Sequence, residues 1–390
     1  VAETPSGPFI DGGRRLTSEQ FAIDPHVFQD DDGARYMFYA TDFLHHSHIG
    51  TGTVVDRMVD PYTLSGRARP VTRARYEWQV YDPNRIEKGG VRWYTVEGPF
   101  VLKRDGLYYQ MFSGGNWKTM TYGVSYAVTD DIESTDEWSQ YCDGERVLPI
   151  LRTIPGKVIG PGHNSVVRGP DNRELFCVYH RWDEESRARV LCIDRQDWDG
   201  DRIVVLGPST TPQPAPSKPA VDGFDGDGWE FAGGCWSARG SVAAQEYSGP
   251  TAEARCRVGF SSFIMEASLR SLLADSEKGH IGVTVIGGRE DALRFALMIP
   301  ERKAVASWLT PEGWAERRFD LPEVFRMDAY HLLRIEVDNG FARIALDGAT
   351  ARWAGRIFVE PQGIALVTAD SPAEFRGFAL TPAFGIISRQ

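Results

Sequence analysis

No run of about twenty apolar residues, the length a bilayer-spanning helix needs, occurs anywhere in the 390-residue chain. The opening VAETPSGPFIDGG also lacks the charged start and apolar stretch of an export signal. Both absences read as a soluble chain, either cytoplasmic or secreted with its signal already removed. Cysteine is scarce. Cys142, Cys177, Cys192, Cys235 and Cys256 form an odd set with no CxxC pair, which argues against a zinc ribbon or a full disulfide framework and leaves buried free thiols. Basic residues are outnumbered, 43 Lys and Arg against 54 Asp and Glu, for a formal net charge of -11. Such a surface repels nucleic acid and anionic membranes, so neither is an expected partner.

What the chain has in quantity is apolar and aromatic side chains. It is 42% hydrophobic, with 11 Trp, 14 Tyr and 20 Phe, enough for a substantial core and for ring faces of the kind sugars stack on. Residues 208–221 read PSTTPQPAPSKPAV, a Pro-rich stretch without apolar periodicity, and are predicted to link a domain at 1–207 to one at 222–390. Beyond the linker, SFIMEASL, HIGVTVIG, LRFALMI, HLLRIEV and FARIALDG alternate or are β-branched between turn residues, the pattern of an antiparallel β-sandwich. The DNG at 338–340 supplies a tight turn between the last two.

The first domain repeats itself. DPHVFQDDDGARYMFYAT from Asp24, EGPFVLKRDGLYYQMFSGG from Glu97 and HNSVVRGPDNRELFCVYHRW from His163 each run from a polar residue into an apolar strand, a turn and an aromatic-rich strand. Gly33, Gly106 and Asn172 stand nine residues after the three starting positions. The starts are 73 and 66 residues apart, about one four-stranded blade each, so the segment reads as an all-β propeller whose inner strands bring Asp24, Glu97 and His163 together. At roughly 70 residues per blade this makes three blades, and a closed propeller needs at least four. Either the chain is processed or truncated, with Val1 and Ala2 the tail of a strand, or the count misleads.

Two carboxylates across a pocket are the requirement for glycosidic cleavage. Glu97, in VEGPF, is the candidate acid, because an apolar wall would raise its pKa. Asp24, in IDPHVF, is its companion, as general base or as the charge that tunes the acid. His163, in GPGHNS, is a candidate to bind a sugar hydroxyl, a water or a metal. Arg181, in YHRW, together with Asn116 and Trp117 in GGNW, completes the candidate sugar contacts. Asp30, Asp31 and Asp32 before Gly33 read as a solvated hairpin loop. His45, His46 and His48 read as a loop at the pocket rim, since no regular element gives them ligand spacing.

At these residues the chain resembles glycoside hydrolase family 43. IDPHVFQDDDGARYMFYA is similar to the family segment carrying the aspartate that tunes the acid, VEGPFVLKRDGLYYQMFSGGNW to the one carrying the catalytic glutamate, and GPGHNSVVRGPDNRELFCVYH to the one carrying a central histidine. The resemblance implies a five-bladed β-propeller lacking its N-terminal blade or more in this chain, followed by a concanavalin-like β-sandwich. It implies an inverting mechanism with Glu97 as acid and Asp24 as modulator, the family's base aspartate lying in an earlier blade. That base would belong to a missing N-terminal segment of the same protein, or Asp24 is recruited as base. It further implies no required cofactor, with a structural calcium at the propeller centre that His163 reaches through water. The substrate would be an oligosaccharide or polysaccharide bearing α-L-arabinofuranosyl residues, with β-xylosides the near alternative. Two other readings stand beside it: a catalytically silent glycan-binding protein, favoured by the absent base, and a fructan-cleaving propeller with a retaining mechanism.

Overall fold

A computed structural model of the chain describes residues 2, 6–144, 147–225, 228–275 and 277–383; Val1 lies outside them. The regular structure of the described residues is almost entirely β-strand, and they form two compact units, one running up to Asp30 with Ala34–Val167 and Leu175–Pro214, the other Asp31–Gly33 with Arg168–Glu174 and the residues from Ala215 onward. Residues 206–220 carry no helix or strand.

Three curled sheets, antiparallel except for one parallel pairing at Gly50 and Tyr94 in the first, carry the three similar segments. In the first, Ala22–Gln29 pairs with Arg35–Phe43, which pairs with Gly50–Asp60. In the second, Val96–Arg104, Leu107–Gly114 and Gly123–Thr129 follow in order, and in the third Gly162–Arg168, Leu175–Trp182, Arg189–Asp199 and Arg202–Val205. The middle sheet shows why the sequence reads as it does. Side chains of a strand alternate between faces. In YYQMF, Tyr108 and Phe112 pack with Tyr36, Phe38 and Val55 of the first sheet, while Tyr109 and Met111 pack with Cys177 and Tyr179 of the third. A strand covered on both faces is apolar at nearly every position, and each fully buried ring contributes roughly 1.5–3 kcal/mol of transfer free energy. Gln110, fully buried, still meets partners because Thr53 and Thr72 of the first sheet both donate to its Oε1, at 2.9 and 2.7 Å.

The nine-residue offset is not the structural register. Ladder pairing breaks at a bulge between Ile23 and His26 in the first sheet and between Glu97 and Phe100 in the second. The left-handed backbone position falls on Asp24 (φ 57°), Gly98 (φ 60°) and His163 (φ 53°). Gly98, not Glu97, is therefore the counterpart of Asp24 and His163, and Glu97 comes one residue earlier. Pro25 and Pro99 sit in these bulges, where a missing N–H costs the ladder nothing.

Two further expectations change. Asp30 is not solvated: it is buried, and Lys103 Nζ and the Tyr108 hydroxyl donate to its two oxygens, each at 2.6 Å. The thiols are free, but Cys142 and Cys235 are exposed rather than buried.

The second unit is a sandwich of an eight-stranded and a seven-stranded antiparallel sheet. Its core takes Met265, Leu269 and Phe375 from one sheet and Val283, Phe295 and Leu366 from the other. The DNG turn closes a hairpin at Asp338 and Phe341, with Asn339 and Gly340 both at positive φ as a type I′ turn requires.

Candidate active site

The inner strands of the three sheets meet at one end. Asp24 Oδ2 accepts the backbone N–H of Gly98 at 3.1 Å, and Asp24 Oδ1 lies 3.8 Å from His163 Nε2. The second sheet joins the third where the N–H of His163 donates to Ser113 Oγ at 2.6 Å, Ser113 being the ladder partner of Glu97. Gly98 matters for space as well as for its φ, since a Cβ there would stand 3.2 Å from the His163 ring. The imidazole takes the position a side chain at the second bulge would fill. Asp24 and Glu97 are partly buried, and the His163 side chain is 41% exposed, so its ring is open to a ligand.

Glu97 is electrostatically the most distinctive group in this cluster. Burial pushes its carboxyl above the ordinary range, and the neighbouring Asp24 charge pushes it further; the Tyr122 hydroxyl, which donates to Glu97 Oε1 at 2.8 Å, together with His163 and Arg189, pulls the other way. Desolvation prevails, which favours the protonated form. His180, stacked on Tyr122 with ring centroids 5.8 Å apart, is pushed down to about 4 by burial and by the nearby Arg189 and His163 charges, so it is a neutral imidazole at working pH.

Arg181 does not join the cluster. Successive strand residues face opposite sides, so His180 turns toward Tyr122 while Arg181 donates to the Trp182 carbonyl at 3.0 Å and lies beside Cys192. The guanidinium whose charge reaches Glu97 is that of Arg189, which also lies 5.1 Å from the Trp117 ring centroid. Trp117 stacks on Trp182 at 5.8 Å and accepts its indole N–H on the backbone carbonyl at 2.7 Å. Asn116 is engaged in shaping this loop: its amide nitrogen donates to the Tyr81 carbonyl and its Oδ1 accepts the Lys118 N–H. His45, His46 and His48 lie in a turn segment, with His48 edge-on to Tyr94. Sequence reasoning missed Tyr122, Ser113, His180 and Arg189. Gly162 leaves the space that Tyr122 occupies, since a Cβ there would fall 2.0 Å from a Tyr122 ring carbon.

The family model for glycosyl hydrolases family 43 matches residues 1–204, just over half of the chain and all three sheets. The chain belongs to this family. A β-D-galactofuranosidase of Aspergillus niger is 34% identical over 199 residues, covering 49% of this chain and 48% of that protein. An extracellular exo-α-(1→5)-L-arabinofuranosidase of Streptomyces chartreusis is 27% identical over 173 residues, covering 43% and 47%. Among solved structures, a thermostable family-43 glycoside hydrolase is 31% identical, with a TM-score of 0.44 over 52% of this chain and 64% of that one. The chain thus spans about half the length of the curated relatives it matches.

The family 43 resemblance implies calcium near His163. Among the described residues no group of three or more His, Cys, Asp or Glu side chains is arranged to hold a metal ion, and His163 and Asp24 supply two donors. That is a poor fit to calcium, which takes six to eight oxygens. No helix among the described residues is long and apolar enough to cross a membrane.

Proposed function

We propose that the chain carries the acid half of a family 43 glycosidase site that releases terminal α-L-arabinofuranosyl residues from plant-type oligosaccharides or polysaccharides with inversion at the anomeric carbon. The observation that carries this reading is Glu97, a partly buried carboxyl held toward its protonated form beside the charge of Asp24. A carboxylic acid kept neutral near working pH is what the leaving oxygen needs as the glycosidic bond breaks. Glu97 gives up that proton while a base takes one from the water attacking the anomeric carbon. Asp24, whose oxygens already face Gly98 N–H and His163 Nε2, suits the role of tuning Glu97 better than that of activating water. His163 and Trp117 are assigned to sugar contact, with Arg189 in place of Arg181.

The furanoside preference is supported by the two curated relatives, whose names share a five-membered sugar ring. The test is hydrolysis of nitrophenyl α-L-arabinofuranoside, β-D-galactofuranoside and β-D-xyloside beside Glu97→Ala. The arabinofuranoside should turn over fastest, with the inverted anomer appearing first by proton NMR; a retained anomer, or equal turnover by the variant, refutes the mechanism. A silent glycan-binding protein is the second reading, favoured because Asp24 is the one acid found acting on Glu97 among the described residues. Sugar binding without turnover would establish it.

A further inference from the structure

Glu97 has two oxygens, and a proton donor is useful only if its proton sits on the one that faces the leaving group. Tyr122 touches one of them. Its hydroxyl donates to Glu97 Oε1 at 2.8 Å, so Oε1 is an acceptor in both charge states of the carboxyl. We infer that Tyr122 is a positioning residue that confines the transferable proton of Glu97 to Oε2, and then stabilises the carboxylate left after transfer. This rests on the reading of Glu97 as proton donor.

The surroundings hold the phenol to this task. Tyr122 is 1% exposed, and its ring stacks on His180 at an interplanar angle of 21°. Gly162 leaves room for the ring edge, and Ser113 lies beside the hydroxyl while accepting the His163 N–H. Burial and the Glu97 charge raise the phenol's own ionisation well above the usual range, so Tyr122 keeps its proton and acts only as donor. Before transfer Glu97 carries one proton on Oε2 and receives one hydrogen bond on Oε1. As the C–O bond breaks, the Oε2 proton moves to the departing oxygen, and the negative charge spreads over a carboxylate whose Oε1 is still bonded. A hydrogen bond to an ion is about twice as strong as one to a neutral group, so the bond tightens as the charge develops.

The test is Tyr122→Phe, which keeps the ring and its stack on His180 and removes only the hydroxyl. The Glu97 carboxyl is titrated by infrared difference spectroscopy on the full chain, its band assigned by subtraction of Glu97→Gln. The expected result is an upward move of the Glu97 midpoint, because the carboxylate loses its donor, with circular dichroism unchanged. The alkaline limb of kcat/KM should move up with it, while kcat falls about tenfold or more, part of the hundredfold to ten-thousandfold that general acid catalysis supplies. A tyrosine that merely packs would change kcat without moving either the midpoint or the limb, and that result overturns the proposal. Gly162→Ala, which drives a Cβ into the Tyr122 ring, should reproduce the midpoint shift with the hydroxyl still present. Should Glu97→Gln prove fully active, the donor assignment fails separately, and the midpoint in Tyr122→Phe still decides whether the phenol governs the Glu97 proton.

Discussion

Asp24 Oδ2 holds the N–H of Gly98, the residue directly after Glu97, so the charge that helps raise the Glu97 carboxyl also grips the adjoining backbone. The first sheet thereby acts on the second through one hydrogen bond and one field. Asp24→Asn separates them, because the amide oxygen still accepts the Gly98 N–H while the charge is gone. Asp24 helps hold Glu97 protonated, so without the charge Glu97 ionises at lower pH. The alkaline limb of kcat/KM should move toward acid, with activity at neutral pH falling about tenfold or more, as read from a pH–rate profile against wild type.

Gly98→Ala tests the space at the same joint. An L side chain at φ 60° costs about 1–2 kcal/mol, and here the added carbon also meets the His163 ring at 3.2 Å. The variant should unfold at lower denaturant, and its KM should rise because His163 is displaced. An unchanged KM would separate His163 from substrate binding.

Asp30 links the first hairpin to the second sheet away from the chemistry. Asp30→Ala leaves Lys103 and the Tyr108 hydroxyl without that acceptor. We expect a loss of about 3 kcal/mol, the lower end for a broken buried pair because Lys103 keeps partial access to solvent. Denaturant midpoints measure it, and kcat at a temperature where the variant is folded should change little.

Much of this was legible in the sequence, and the exceptions have physical reasons. Asp24, Glu97 and His163 could be brought together from chain positions far apart because copies of one hairpin pattern stand side by side. The one-residue slip between Glu97 and Gly98 was hidden because a bulge adds a residue without changing the apolar pattern. Asp30 resembles a loop acid because its neighbours Asp31, Asp32 and Gly33 are turn formers, while its partners lie 73 and 78 residues away. Arg181 and Arg189 could not be ranked, since the choice depends on which strand face meets the second sheet. Tyr122 stands outside the repeat, and its contact with Glu97 follows only from coordinates.

The donor role of Glu97 is tested most directly by leaving-group dependence. Wild type and Glu97→Gln are compared on arabinofuranosides whose leaving groups range from dinitrophenol, which departs without a proton, to simple alcohols, which do not. The expected result is near-normal cleavage of the dinitrophenyl substrate by the variant, with a loss of at least about a hundredfold on the alcohols. An equal loss across the series, or none, contradicts the account.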